Sequence, residues 1–159
     1  MKEYRTVAQE GEQEFIEKRS RFIGYAAPVE SEEEALRLLG ERRALHREAS
    51  HNVWAYVLRD GQIRRYSDDG EPQGTAGIPE LVDVLVVVTR YFGGTLLGAG
   101  GLVRAYSHTA KLAVDAAGVR CMTPCTVFRL QMDYSWYGKI TYFLPEFRTV
   151  VLDTQFAEA

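Results

Sequence analysis

Apolar and polar positions alternate with three different rhythms along this chain, and each rhythm predicts an element. Arg21 to Val29 (RFIGYAAPV) is apolar and rich in strand formers, and its Pro28 marks the end of an extended segment. Ser31-Glu32-Glu33-Glu34 follows. Ser31 can cap a helix and Glu34 can close a capping box, while three acids in the first turn suit the helix dipole. Ala35, Leu38, Leu39, Arg42 and Leu45 then recur at helical spacing, which predicts an inward stripe, with Arg37, Glu41 and Arg43 facing water.

Asn52 to Leu58 (NVWAYVL) alternates in the manner of a strand. Asp60-Gly61 turns the chain into Gln62 to Tyr66, so the pair reads as a hairpin. Ser67 to Gly77 is dense in turn formers and reads as a loop. Val84 to Thr89 (VLVVVT) is continuously apolar, the pattern of a strand covered on both faces. A glycine-bearing loop follows, then a helix predicted from Leu102 to Ala117 with Gly118 as its stop. Beyond Pro124 a further alternating strand is predicted over Thr126 to Tyr134, with a domain boundary placed before it.

Composition narrows the class without choosing a function. The chain has 159 residues, 46% hydrophobic and 26% charged, which suits a globular protein with one main core. Its net charge of −3 gives no global pull toward nucleic acid, so any anion site has to be local. The polar N-terminus carries no apolar run of signal-peptide type, and Val84 to Val88 is far short of a membrane span, so a cytoplasmic, non-membrane protein is expected. Cys121 and Cys125 are the only cysteines and lack a second ligand pair, so they read as ordinary thiols.

Two loops carry the candidate chemistry. Gly93, Gly94, Gly98, Gly100 and Gly101 lie between the buried strand and the following helix. Glycines there let backbone amides turn toward an anion at a helix N-terminus, with Arg90 and Arg104 as phosphate partners. The spacing is neither a Walker loop nor a dinucleotide fingerprint, and tight turning with close packing explains the glycines equally well. The second loop holds Asp68, Asp69 and Glu71, which could ligate magnesium or act as acid and base. Turn hydrogen bonds and pairing with an arginine are the plainer account. No nucleophile stands beside them, and His46, His51 and His108 are scattered. His51, entering a strand beside Trp54 and Tyr56, is the one histidine worth following. No catalytic residue, resident metal or cofactor is assigned. A groove is expected where the two loops meet, with Arg90 or Arg104 beside Asp68, Asp69 or Glu71.

Read as strings, KRSRFIGYA, ASHNVWAYV, YSDDGEPQGTAGIP and VVVTRYFGGTLLGAGGLVRAY resemble the IMPACT family, in particular its bacterial, YigZ-like branch. The likeness runs from about Phe15 to Ala117 and resumes at MDYSWYGKI. It implies an α/β (α+β two-layer) fold. Residues 1–120 would form an N-terminal domain of the type shared by elongation factor G domain IV, a ribosomal protein's second domain and galactokinase-type kinases. Residues 121–159 would form an incomplete ferredoxin-like domain. Three departures stand out: the connection from Pro79 to Val84 is shorter than the family pattern by about a helix, Leu96 stands where relatives carry lysine, and too few residues follow Phe143 to complete a second domain.

The resemblance implies a translation-associated binding protein, and the absence of a Walker lysine and of a nucleophile counts against an enzyme. On one reading, Arg21, Arg65, Arg90, Arg104 and the glycine loop hold RNA or the ribosome. On a second, the chain is an adaptor contacting a translation-related protein, as the family's eukaryotic members do under amino-acid starvation. A phosphate-handling enzyme is the third, suggested by the kinase relatives of the fold and the acidic loop.

Overall fold

A computed structural model describes residues 2–156. The chain falls into two compact units, Met1–Pro124 and Cys125–Ala159. In the first, the elements run β1 (Tyr4–Val7), β2 (Gly11–Glu17), β3 (Ser20–Pro28), α1 (Glu32–Leu45), β4 (His51–Leu58), a short 3-10 turn (Asp60–Gln62), β5 (Ile63–Ser67), β6 (Val84–Tyr91), α2 (Ala99–Ala117) and β7 (Val119–Met122). Five strands make one antiparallel sheet in the order β2-β3-β6-β4-β5, and β1 pairs with β7 in a second, two-stranded sheet. The fold is a mixed α/β one built on antiparallel sheets.

β6 sits at the centre of the large sheet, and its run of valines is explained by cover on both faces. On one face Leu85 and Val87 join Tyr25, Ala27, Tyr56 and Leu58 under Ala35, Leu38 and Leu39 of α1. On the other, Val84, Val86 and Val88 meet residues of α2, among them Ala113, Ala117, Leu102 and Tyr106. A strand with no polar face gains burial of every side chain, each contributing about 1.5–3 kcal/mol.

Ser31 caps α1 as its sequence predicts, its Oγ accepting from the Glu34 amide, while the Glu34 carboxylate reaches back one residue further than a capping box requires and accepts from the Glu30 amide. Its inward stripe stops earlier than expected. Leu45, the last residue of α1, is 67% exposed, and the buried stripe is Ala35, Leu38 and Leu39. Arg42 lies over the Tyr25 ring and pairs with Glu12 of β2.

α2 starts at Ala99, three residues before the sequence reading, so Gly100 and Gly101 belong to its first turn and not to the loop. Gly98 (φ 74°) precedes it and Gly118 (φ 72°) ends it, both in a backbone region that favours glycine.

Within the second unit, α3 (Tyr134–Phe143) is followed by a 3-10 turn (Leu144–Phe147), and the described residues contain no strand. The strand expected over Thr126 to Tyr134 does not form. Alternation alone is not enough: a strand needs a neighbour to take its backbone hydrogen bonds, and among the described residues these have none.

Candidate functional site

The end of β6 and the loop after β5 converge. Arg90, the seventh residue of β6, is 5% exposed, and its Nη1 donates to Glu71 Oε1 at 2.6 Å. Tyr106, one turn beyond Leu102 on α2, donates its hydroxyl to the same oxygen at 2.8 Å. Glu71 therefore ties β6, the acidic loop and α2 together. Burial, reinforced by the bond to Glu71, pushes the Tyr106 phenol far above its ordinary value, so it remains a proton donor.

The other two acids of the loop are also engaged. Asp68 accepts from the amides of Gly74 and Ala76 at 3.1 and 2.6 Å, which folds the loop on itself. Asp69 accepts from the Asn52 amide at 2.6 Å and lies 3.5 Å from Arg43. His51 donates from Nδ1 to the Asp69 carbonyl at 2.8 Å, leaving Nε2 facing Glu71 at 3.8 Å. These carboxylates accept hydrogen bonds from the fold itself, the plainer of the two sequence readings. Among the described residues no group of three His, Cys, Asp or Glu side chains is placed to hold a metal ion.

The glycine-bearing loop closes the far side. Gly93 packs against β3 so closely that a Cβ there would lie 2.1 Å from the carbonyl of Arg19, and its amide donates to Ser20 Oγ at 3.2 Å. Gly94 has φ 83°. Between the two loops lies a cavity of about 440 Å³ lined by His51, Glu71, Arg90, Phe92, Leu96 and Leu97, with Gly98 and the start of α2 at its edge. The expected meeting of the loops is what the structure shows, with Arg90 beside Glu71.

The predicted cations do not gather there. Arg21 pairs with Glu14 at 2.6 Å and lies over the Tyr91 ring. Arg65 is on β5, at the edge of the sheet. Arg104 is exposed in the second turn of α2 and, among the described residues, is in no ion pair. Arg90 alone lines the cavity, and Glu71 occupies it, although its Nε is buried without a partner.

The mouth is apolar. Leu96 is 81% exposed and Phe92 is 49% exposed. Sequence reasoning missed Tyr106 and Ser20 as members of this cluster. Tyr106 falls four residues after Leu102 and reads as core, and nothing in Ser20's neighbours marks it as the hydroxyl that accepts from Gly93.

A family model described as the Impact N-terminal domain matches residues 18–114. The chain is 38% identical over 164 residues to the IMPACT family member YvyE of Bacillus subtilis (strain 168), covering 98% of this chain and 76% of that protein. It is 40% identical over 128 residues to the IMPACT family member YigZ of Escherichia coli (strain K12), covering 74% of this chain and 63% of the relative. A solved crystal structure of a hypothetical protein is similar at a TM-score of 0.70 and 32% identity, over 99% of this chain and 82% of its own.

Proposed function

The chain belongs to the IMPACT family with its bacterial YvyE- and YigZ-type members, and from that premise we propose that it is a translation-associated binding protein that docks a protein partner at the cavity mouth. One observation carries this reading: the charges beneath the mouth are paired with one another, while Phe92 and Leu96 stand exposed above an apolar hollow. Aromatic residues, Phe among them, are enriched at protein interfaces, and a partner covering Phe92 would bury the neighbouring Leu96 as well. Arg90, Glu71 and Tyr106 then serve as the frame that holds the mouth in shape. No catalytic step is assigned to the site.

The fold that goes with this proposal is the one its family implies. On this proposal residues 1–120 would be the IMPACT-type domain related to elongation factor G domain IV, and residues 121–159 would be an incomplete ferredoxin-like domain. The working compartment is the cytoplasm, where translation takes place.

Co-sedimentation with ribosomes, with and without nuclease and in moderate salt, tests the reading. The protein partner predicts binding that survives nuclease and falls at least about tenfold for Phe92→Ala and Leu96→Ser. Binding that vanishes with nuclease and ignores both substitutions would remove it.

A second reading, RNA or ribosomal phosphate at the start of α2, is favoured by a different observation. Gly98 supplies no side-chain cap, the first turn holds no acid, and Arg104 is exposed nearby. The first-turn amides carry partial positive charge that suits a phosphate.

A further inference from the structure

The large sheet ends in two edges of opposite character. At one, Glu12 and Glu14 of β2 are paired with Arg42 and Arg21. At the other, β5 pairs among the described residues with β4 alone, and Arg64, Arg65 and Tyr66 are exposed. Among the described residues neither of these arginines is in an ion pair. Arg65 Nη1 reaches only the carbonyl of Arg64, at 3.2 Å. Side chains alternate across a strand, so the register sets Arg65 opposite Tyr56 on the α1 face, and Arg64 and Tyr66 opposite Val57 and Ala55 on the other. Among the described residues β5 thus leaves a row of backbone donors and acceptors open, with one cation outside any ion pair on each face.

We propose that β5 is a docking edge for an extended acidic segment of a partner protein, which joins the sheet as a further strand. The backbone ladder would supply affinity, as in other cases of strand addition. Carboxylates on the two faces of the incoming strand would meet Arg64 and Arg65, whose planar forks suit them. Tyr66, 54% exposed, would cover an apolar residue between them.

Charged residues commonly guard sheet edges against self-association. That guard is selective here. Two arginines repel a second β5 and attract an acidic strand. The acidic edge of a second copy is a poorer occupant, because Glu12 and Glu14 are already engaged and β2-to-β5 pairing would grow as an open chain. No residue of β5 lines the cavity mouth, so binding at this edge does not depend on a partner docking there.

The test uses the full chain and a fluorescent peptide of repeated Glu-Glu-Val-Val, which places carboxylates on both faces of a strand. Anisotropy should show binding that weakens roughly tenfold or more for the double variant Arg64→Ser/Arg65→Ser. It should also be lost for a peptide of equal charge with proline at every third position, since proline donates no ladder hydrogen bond. Phe92→Ala should bind the peptide as wild type does, which keeps the test independent of the mouth. Absence of binding, equal binding of the proline-interrupted peptide, or tighter binding of a uridine oligonucleotide of equal charge would overturn the proposal. Should the double variant fail to fold, the two peptides against the wild-type chain decide the matter.

Discussion

Arg90 Nη1 lies 2.6 Å from Glu71 Oε1, with the two side chains 5% and 4% exposed. A pair so withdrawn from water costs desolvation on both sides, and it persists because each member has further partners, Tyr106 on the acid and Ser20 on the base. Removing one member leaves the other buried and uncompensated. Glu71→Ala and Arg90→Ala are each expected to cost about 3–5 kcal/mol in urea unfolding. Glu71→Met combined with Arg90→Met should recover part of that loss. Single variants as stable as wild type would mean that the pair does not hold the loops.

The glycines separate by position. A Cβ at Gly93 would lie 2.1 Å from backbone atoms of Arg19, so Gly93→Ala must shift β3 or the loop. Gly100 sits in helical backbone and meets only the flexible end of Arg104 at 3.5 Å. Gly93→Ala is expected to lower the melting temperature sharply, and Gly100→Ala to raise stability by up to about 1 kcal/mol. Thermal melts of the two variants check this directly.

That contrast also shows how much the sequence disclosed. Rhythm and punctuation marked α1, the β4–β5 hairpin, β6 and the stop at Gly118, because each signal is local. β2 gives no clear signal because Glu12, Glu14 and Glu17 interrupt its apolar pattern, and the exposure of Glu12 and Glu14 follows from the strand's place at the sheet edge. The glycine run looked like one loop, since composition cannot tell Gly93, which permits close packing, from Gly100, which is simply helical. Glu71 stands beside Asp68 and Asp69 in sequence, yet its partners lie 19 and 35 residues away. Only the tertiary fold sets it apart.

His46 gives the stability an acid-side dependence. Its Nδ1 lies 2.9 Å from the Tyr91 hydroxyl and its Nε2 3.2 Å from Arg42 Nη2, which can only donate. Burial, and then the Arg42 charge, hold its pKa below the ordinary value of about 6.5. The unfolded chain therefore takes up this proton first, and stability is lost as pH falls from about 6.5 toward the lower folded value. His46→Gln should flatten the stability profile in that window. An NMR titration should place the wild-type midpoint below that of a free histidine, and a midpoint at or above it would refute the assignment.

The alkaline side has its own marker. Tyr56 is 2% exposed and donates to Glu32 of α1, and burial with that bond pushes its pKa up to about 12. The folded state keeps the phenolic proton longer than the unfolded chain does. This contribution is whole below about pH 10 and is lost as pH rises through about 12. Tyr56→Phe should be less stable than wild type near neutrality, with the gap closing across that range. A gap independent of pH would mean that the hydroxyl bond to Glu32 contributes nothing to the profile.

Arg104 distinguishes the two kinds of partner. A phosphate held at the start of α2 would be met by first-turn amides and by this exposed guanidinium, with little dependence on base sequence. Affinity for RNA would then fall steeply with salt, and Arg104→Ala would make that slope shallower by about 0.7–1. Arg104→Lys would restore only part of the loss, since a point charge replaces a planar fork. The protein-partner reading expects none of this. Labelled RNA titrated against wild type, Arg104→Ala and Arg104→Lys, all verified as folded, should give coincident and weak curves at moderate salt. Phe92→Ala should meanwhile release the ribosome-bound fraction. A clear loss for Arg104→Ala, partly restored by lysine, would move the working role from the apolar mouth to the helix N-terminus.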